Sequence, residues 1–230
     1  GFYSIGYTLD GTEPTNETSP NNTTANPDIT GTNPSGGAIA DANSDLSVDF
    51  GVYRSMTIGN RVWFDLNNNG LIDGGENGIA GVELVLFRDE NNDGIPDDID
   101  GSTTFGDNGD IVLTTAGTPY TDITDSRGYY LFNDLVTGRY IVAVRDTNFT
   151  AGNALSGFAS STGVLLAPAD SADNGIDTAV NGHIISNTIT LTPNAAPTGE
   201  SDTSGNTADG PNFRGVNNES DNNSDLTWDF

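Results

Sequence analysis

Cysteine and lysine are both absent from this 230-residue chain, and histidine occurs once, as His183. Without cysteine the chain cannot form disulfides, so an extracellular form needs other means of stabilisation. It also lacks two of the side chains that commonly act as covalent nucleophiles. No apolar stretch approaches the roughly 18 consecutive residues that cross a bilayer, so the sequence predicts no membrane span in this segment.

Catalytic arrangements are poorly represented. His183 stands at the start of an apolar strand pattern, where a histidine is ordinarily a structural residue. Acidic residues are abundant, but glycoside hydrolysis requires one carboxyl group to stay protonated near neutral pH. The sequence therefore predicts that the protein is not an enzyme.

Positive charge is scarce. The chain has 33 acidic residues against 7 basic ones, all arginine, and a formal net charge of -26. Repulsion between two polyanions excludes nucleic acid as a partner. Self-repulsion of this size destabilises a compact state unless cations screen or bind the carboxylates. We therefore expect bound metal ions or a salty medium, although acidity can also serve solubility alone.

The residues that are plentiful favour turns and short strands. The chain has 29 Gly and 10 Pro, and its apolar residues come in short β-branched and aromatic runs. Eight runs are predicted as strands, at about residues 57–64, 82–88, 111–115, 119–124, 128–132, 139–145, 184–191 and 225–230. They predict an all-β fold, an antiparallel β-sandwich with long loops at about residues 89–110, 146–183 and 193–223.

A segment near the start of the chain recurs at its end. Residues 41–50, DANSDLSVDF, match residues 221–230, DNNSDLTWDF, at a constant offset of 180. We expect residues 1–50 to be the C-terminal strands of a preceding repeat or a donor segment between subunits, and residues 51–230 to be a complete repeat. Two strands alone are marginally stable, so residues 1–50 should complete a sandwich in a neighbouring subunit or in a preceding part of the chain. The expected partners are therefore neighbouring copies, head to tail.

The segment at residues 65–76 has the spacing of a calcium-binding loop, because it fits D-x-[DN]-x-[DN]-G-x5-E at every position. Calcium takes about six to eight hard oxygen ligands, which such a loop supplies from alternate positions while a glycine makes the sharp turn. The predicted ligands are Asp65, Asn67, Asn69, the Leu71 carbonyl, Asp73 and Glu76.

A second loop, at residues 89–100, repeats the pattern with aspartate in the last place. Its predicted ligands are Asp89, Asn91, Asp93, the Ile95 carbonyl, Asp97 and Asp100. Both loops lie between predicted strands, so the helix-loop-helix calcium sensor is not implied. The expected cofactor is two or more Ca²⁺ ions.

Three further acidic residues are weaker candidates for metal ligands. Asp125, Asp173 and Asp177 each lie in a glycine-containing turn close to a predicted strand. An aspartate in such a turn can be a metal ligand or simply a turn residue, and the spacing leaves both roles open.

The framework of residues 51–230 carries motifs of a known family. They are IGNRVWFD at residues 58–65, GIAGV at 78–82, TDSRGYYLFNDL at 124–135, GRYIV at 138–142 and LTWDF at 226–230. These segments resemble the SdrD-type B-like domains of serine-aspartate-repeat surface adhesins, related to the B domains of collagen adhesins. The resemblance implies an immunoglobulin-like sandwich, bound calcium that stiffens the domain, and a spacer or stalk role. The lysine–asparagine isopeptide bond of some relatives cannot form in a chain without lysine.

We therefore predict a structural, calcium-stabilised repeat module of an extracellular surface protein, in a stalk or a head-to-tail filament. The alternative is an adhesin module whose long loops bind a glycan or protein, an unidentified surface ligand. An exposed aromatic platform would favour the adhesin module, whereas contacts at both ends of the domain would favour the fibre.

Overall fold

The computed structural model describes residues 50–161, 172–200 and 219–230. The chain divides into two units, Gly1–Tyr53 and Arg54–Phe230. The predictions made for residues 1–49 lie outside the described residues. No helix long and apolar enough to span a bilayer occurs within the described ranges.

The described part of the second unit consists of short strands and two 3-10 turns, without an α-helix. Runs of β-branched and aromatic residues form the strands, as their preference for a pleated, half-buried surface predicts. The strands are β1 (Met56–Arg61), β2 (Glu83–Arg88), β3 (Thr121–Ile123), β4 (Tyr129–Leu135), β5 (Gly138–Val144), β6 (Gly175–Val180), β7 (His183–Ser186), β8 (Ile189–Leu191) and β9 (Ser224–Asp225). The 3-10 turns are Asp146–Phe149 and Asp221–Asn223.

The strands form two sheets. One has three strands in the order β4-β1-β9, and the other has six, in the order β3-β2-β5-β7-β6 with β8 also paired to β5. Within the described ranges the paired strands are antiparallel except β1 and β9, which run parallel. The predicted all-β antiparallel sandwich is confirmed, with one parallel pair that the sequence does not predict.

The main core lies between the two sheets. Leu84 and Leu86 of β2 belong to one buried cluster with Ile58 of β1 and Phe132 of β4, all 0% exposed. Trp228 and Phe230 of the last segment join the same cluster. Burying one large apolar side chain stabilises a fold by about 1.5–3 kcal/mol, so this cluster is the main source of stability.

A second core lies on the other face of the six-stranded sheet. Because side chains alternate along a strand, Val85 and Phe87 of β2 point away from the main core. They form a separate buried cluster, whose other members are Ile111, Ile141, Ala143 and Ile185. The six-stranded sheet is therefore buried on both faces, not half-buried as in a simple two-layer sandwich.

The long loop at residues 89–110 covers this second core. Ile111, at its end, pairs with Phe87 of β2. The His183 ring contacts the Gly106 carbonyl through Nε2 at 2.9 Å and accepts the Asp146 N–H through Nδ1 at 3.0 Å. Since Nδ1 accepts a hydrogen bond, Nε2 carries the proton and donates to Gly106. The single histidine therefore holds the loop in place.

The predicted strand at residues 184–191 is divided into β7 and β8, which both pair with β5. At the interruption the Ser186 hydroxyl accepts the Val142 N–H at 3.1 Å and donates to the Asn187 carbonyl at 2.8 Å. The Ser186 hydroxyl thus accepts a hydrogen bond that a backbone carbonyl of a continuous strand would accept. Hydrophobic periodicity does not reveal such a contact.

Three other strand predictions also differ from the structure. The strand predicted at residues 225–230 is reduced to β9 and an isolated bridge at Asp229. The sequence does not predict β6, which lies in a segment expected to be a loop. Its hairpin to β7 turns through Asn181 and Gly182, whose φ angles of 50° and 87° are those of a tight hairpin turn, and this Asn-Gly pair is a usable signal. Residues 111–115 contribute only isolated bridges, at Ile111 and Leu113.

Replacing Ser186 with alanine should destabilise the domain, because the buried Val142 N–H loses its partner. An unsatisfied buried donor costs about 1–3 kcal/mol, which lowers the melting temperature of a chain of this size by roughly 3–10 °C. The exposed Ser126 is the matched control, and Ser126→Ala should change the melting temperature by less than about 1 °C. Equal melting temperatures for the two variants, measured by circular dichroism, would contradict this role of Ser186.

Candidate metal centre

The first loop, residues 65–76, folds around the carboxylate of its first residue. Asp65 accepts the backbone N–H of Asn67 at 3.2 Å and of Asn69 at 3.3 Å. It also accepts the N–H of Gly70 at 2.8 Å. Desolvation alone would raise the pKa of Asp65, but the backbone hydrogen bonds outweigh it and the pKa lies below its usual value. Asp65 is thus held ionised, as a metal ligand must be.

The other side chains of the first loop converge on its acidic end. The amide nitrogens of Asn67 and Asn69 both donate to Oδ2 of Asp73, each at 2.9 Å. Glu76, which is 7% exposed, accepts the N–H of Asp73 at 2.8 Å and of Leu66 at 2.9 Å. The side chains of Asn67, Asn69 and Asp73 are therefore in direct contact, whereas those of Asp65 and Glu76 are held by backbone N–H groups of the same loop.

The second loop, residues 89–100, makes the same turn around Asp89, which is 0% exposed. Asp89 accepts the N–H of Asp93 at 3.0 Å and of Gly94 at 3.1 Å. Asn91 donates its amide N–H to Asp93 at 3.0 Å. The Thr188 hydroxyl also donates to Asp89, so this carboxylate ties the loop to the link between β7 and β8.

The two loops share their backbone conformation. At position six the glycines Gly70 and Gly94 have φ angles of 72° and 78°, and at position four Asn68 and Asn92 have 56° and 60°. Glycine and asparagine adopt this left-handed conformation most readily. In both loops the N–H of the seventh residue donates to the fifth side chain at 2.9 Å, from Leu71 to Asn69 and from Ile95 to Asp93.

The loops differ at their acidic ends. In the first, Glu76 at position twelve accepts the N–H of Leu66 at position two. In the second, the N–H of Glu90 at position two donates at 2.8 Å to Asp97, which stands at position nine. Asp97 therefore accepts the N–H of the residue at position two, as Glu76 does in the first loop. Asp100 lies instead with Asp98 and Asp110.

A third acidic group includes two residues that the predicted ligand set omits. Carboxylate oxygens of Asp98, Asp100 and Asp110 lie within 4.8 Å of one another. Asp110 is 0% exposed and accepts the N–H of Ile99 at 2.7 Å and of Gly106 at 2.9 Å. The sequence shows that both contributing segments are acidic, but their approach depends on the course of the loop between them.

Asp173 lies beside the first loop. Its N–H donates to the Gly70 carbonyl at 2.8 Å, and the residue is 2% exposed. Its carboxylate accepts the Ser161 hydroxyl at 2.7 Å and the Gly175 N–H at 2.8 Å. Asp173 and Asp65 line the same cavity.

Asp125 is not brought to either loop. Its carboxylate accepts the N–H of Arg127 at 2.8 Å and of Tyr129 at 3.0 Å, within the turn between β3 and β4. Asp177 lies in β6, and its side chain is outside the part of the chain that the structure describes.

The donor set of the first loop fits calcium. Its side chains offer carboxylate and amide oxygens, which a hard cation prefers. Both asparagine amides meet Asp73 with their nitrogens, and a half-turn of the Asn67 amide would present its oxygen instead, whereas the Asn69 oxygen already accepts the Leu71 N–H. A calcium ion would be held by Asp65, Asn67, Asn69, Asp73 and Glu76.

The first loop is joined to both ends of the domain. Just before it, the Trp63 N–H donates to the Phe230 carbonyl and the Phe230 N–H to the Arg61 carbonyl, each at 2.9 Å. Beyond Asp173, which bonds to the loop, the Asn174 N–H donates to the Asp229 carbonyl at 2.8 Å. Ordering the loop therefore also fixes the pairing of the first and last strands.

These features define an all-β module with two aspartate-led loops between strands. Residues 56–95 match the model of one family, the SdrD B-like domain. The match runs from β1 through the first loop and β2 into the second loop. The predicted resemblance to this family is therefore confirmed over residues 56–95.

Several proteins from different organisms are similar to part of this chain. The chain is 34% identical over 124 residues to serine-aspartate repeat-containing protein D of Staphylococcus aureus strain Newman, and 34% identical over 100 residues to a fibrinogen-binding protein of Staphylococcus epidermidis. It is 30% identical over 99 residues to Colossin-B of Dictyostelium discoideum. The matches cover 51%, 43% and 42% of this chain but 8%, 7% and 2% of those proteins. The shared region is a small part of each relative.

The hydrogen bond from Glu90 to Asp97 predicts which carboxylate completes the second loop. Asp97→Asn should weaken calcium binding there about tenfold, because a charged ligand is lost, whereas Asp100→Asn should change it less than about twofold. The Gly94 amide resonance, followed during a calcium titration, reports on this loop alone. The opposite ranking would show that the residue at position twelve completes the loop, as the sequence pattern indicates.

Proposed function

We propose that the chain is a structural repeat module of an extracellular surface protein, stabilised by bound calcium and arranged head to tail in a stalk or filament. The observation that carries the proposal is the tie between the first acidic loop and the two terminal strands. A metal ion in this loop would stabilise the contact that keeps both ends of the module together.

The direction of the terminal strands also suits a spacer. The last segment runs parallel to β1, with the Trp228 N–H bonded to the Gly59 carbonyl at 3.1 Å and Phe230 bonded to Arg61 and Trp63. When opposite ends of two parallel strands are pulled, the hydrogen bonds between them share the load. Strands pulled apart from one end would instead lose their bonds one at a time. The module should therefore resist extension.

An extracellular location agrees with the chemistry of the chain. Calcium sites of extracellular modules commonly have dissociation constants of about 0.1–1 mM, and oxygen-ligand loops of this kind suit such a medium. With no cysteine or lysine, the chain has neither disulfides nor lysine-based crosslinks. Cation binding would stabilise the fold by reducing the self-repulsion that comes with a net charge of -26. The similarity to a serine-aspartate repeat-containing protein supports a role as one module among several.

Ligand binding through the long loops is a second candidate function. The loop at residues 89–110 exposes Ile95, Ile99 and Phe105, at 40%, 54% and 47%. One relative is a fibrinogen-binding protein. Replacing these three residues with serine should abolish adhesion to a protein- or glycan-coated surface if this loop binds a ligand, and should leave adhesion unchanged if the module is only a spacer.

Removing calcium should lower the melting temperature of the native chain. An ion present at about 100 times its dissociation constant adds about 2.7 kcal/mol per site, or roughly 5–10 °C for a chain of this size. Glu76→Gln should lower the melting temperature by the amount that one calcium site contributes. Asp146→Asn is the matched control, because it removes one negative charge from a 49%-exposed side chain outside both loops. A melting temperature that excess chelator leaves unchanged would overturn the proposal.

A further inference from the structure

A cavity of about 540 Å³ lies beside the last residue of the chain. Its apolar wall includes Trp63, Phe64, Phe149, Leu155, Phe158 and Phe230. The Phe64 and Phe158 rings meet edge to face at 5.3 Å, yet they stay 43% and 41% exposed. An aromatic-lined concave surface of this size is suited to receive apolar side chains of another protein segment.

Most of the residues that line the cavity are apolar, and Trp63 is one of them. An occupant with an apolar body would therefore fit the cavity best.

The internal repeat shows which residues follow the counterpart of Phe230. That counterpart is Phe50, and the next residues are Gly51, Val52 and Tyr53. Val52 is 83% exposed and Tyr53 is 58% exposed. Tyrosine combines an apolar ring with a hydroxyl that can accept a hydrogen bond.

A residue placed after Phe230 would lie close to the cavity. Because the last segment runs parallel to β1 and the Phe230 carbonyl accepts the Trp63 N–H at 2.9 Å, a residue placed after Phe230 begins next to Phe64. Three extended residues reach at most about 10 Å. A Gly-Val-Tyr segment that follows Phe230 can therefore reach the cavity within its three residues.

We propose that this cavity is the docking site for residues 51–53 of a following copy of the module. The aromatic and aliphatic side chains of that segment pack against Phe64 and Phe158. The inference rests on the proposed head-to-tail arrangement and specifies where one module contacts the next. Because Asp65 lines the same cavity, docking and the first acidic loop support each other.

A chain extended after Phe230 tests the proposal. One form carries Gly-Val-Tyr-Arg-Ser, the sequence of residues 51–55, and the matched form carries the same extension with serine in place of Val and Tyr. The first form should melt about 2–4 °C higher in calcium. Its tryptophan fluorescence should also differ from that of the serine form, because Trp63 lines the site.

Two substitutions locate the effect. Phe158→Ser, placed in both extended forms, should abolish the difference between them, whereas Phe105→Ser, which removes an exposed phenylalanine of the second-loop region, should preserve it. Equal melting temperatures for the two extended forms would overturn the docking site, and so would a difference that survives Phe158→Ser. The calcium dependence of the unextended chain is measured separately, so failure of docking is distinguishable from failure of the calcium-stabilised module.

Discussion

The hydrogen bonds that join Phe230 to Arg61 and Trp63, both 2.9 Å long, connect the first strand of the domain to its last residue. The last segment places Trp228 and Phe230 in the main core, so closing this contact also completes the hydrophobic packing between the sheets. The first acidic loop begins two residues after Trp63, and its position therefore depends on the same contact. Joining chain ends this distant has a conformational entropy cost that local contacts do not have. An ion that orders the loop would reduce this cost, because the residues beside the contact would already be fixed.

The absence of lysine gives arginine a structural role throughout the described chain. The guanidinium groups of Arg61 and Arg127 both lie 5.3 Å from the centre of the Tyr129 ring, and that of Arg88 lies 4.5 Å from the ring of Tyr140. A planar guanidinium can stack on a ring and still donate hydrogen bonds at its edge, which a lysine ammonium does less well. Arg88 and Arg127 also pair with Glu90 and Asp125, but 7 basic residues cannot neutralise 33 acidic ones. Neutralisation is left to cations from the medium.

The features that could be predicted from the sequence are those set by local spacing. Alternation in β2 and β5 and the pattern from Asp65 to Glu76 depend on neighbours within one turn or one strand, and the structure shows both the strands and the gathered side chains. The exchange of Asp97 for Asp100 could not be predicted, because it depends on how the chain continues towards Asp110. The division between β7 and β8 likewise depends on the Ser186 hydroxyl meeting β5, a long-range contact. The hairpin at Asn181 had a local signal, but the polar residues around it favoured a loop.

The acidic loop at residues 89–110 also affects the second core, because it covers that core. Val85 and Phe87 are buried on the outer face of the six-stranded sheet, beside the end of the loop that holds Asp98, Asp100 and Asp110. Mutual repulsion of these carboxylates acts against the packing of the loop, while burial of the apolar face favours it. The balance between the two therefore depends on the cation concentration. If cations are scarce, this loop would pack less firmly on the sheet, and an exposed apolar face of that kind promotes association between molecules.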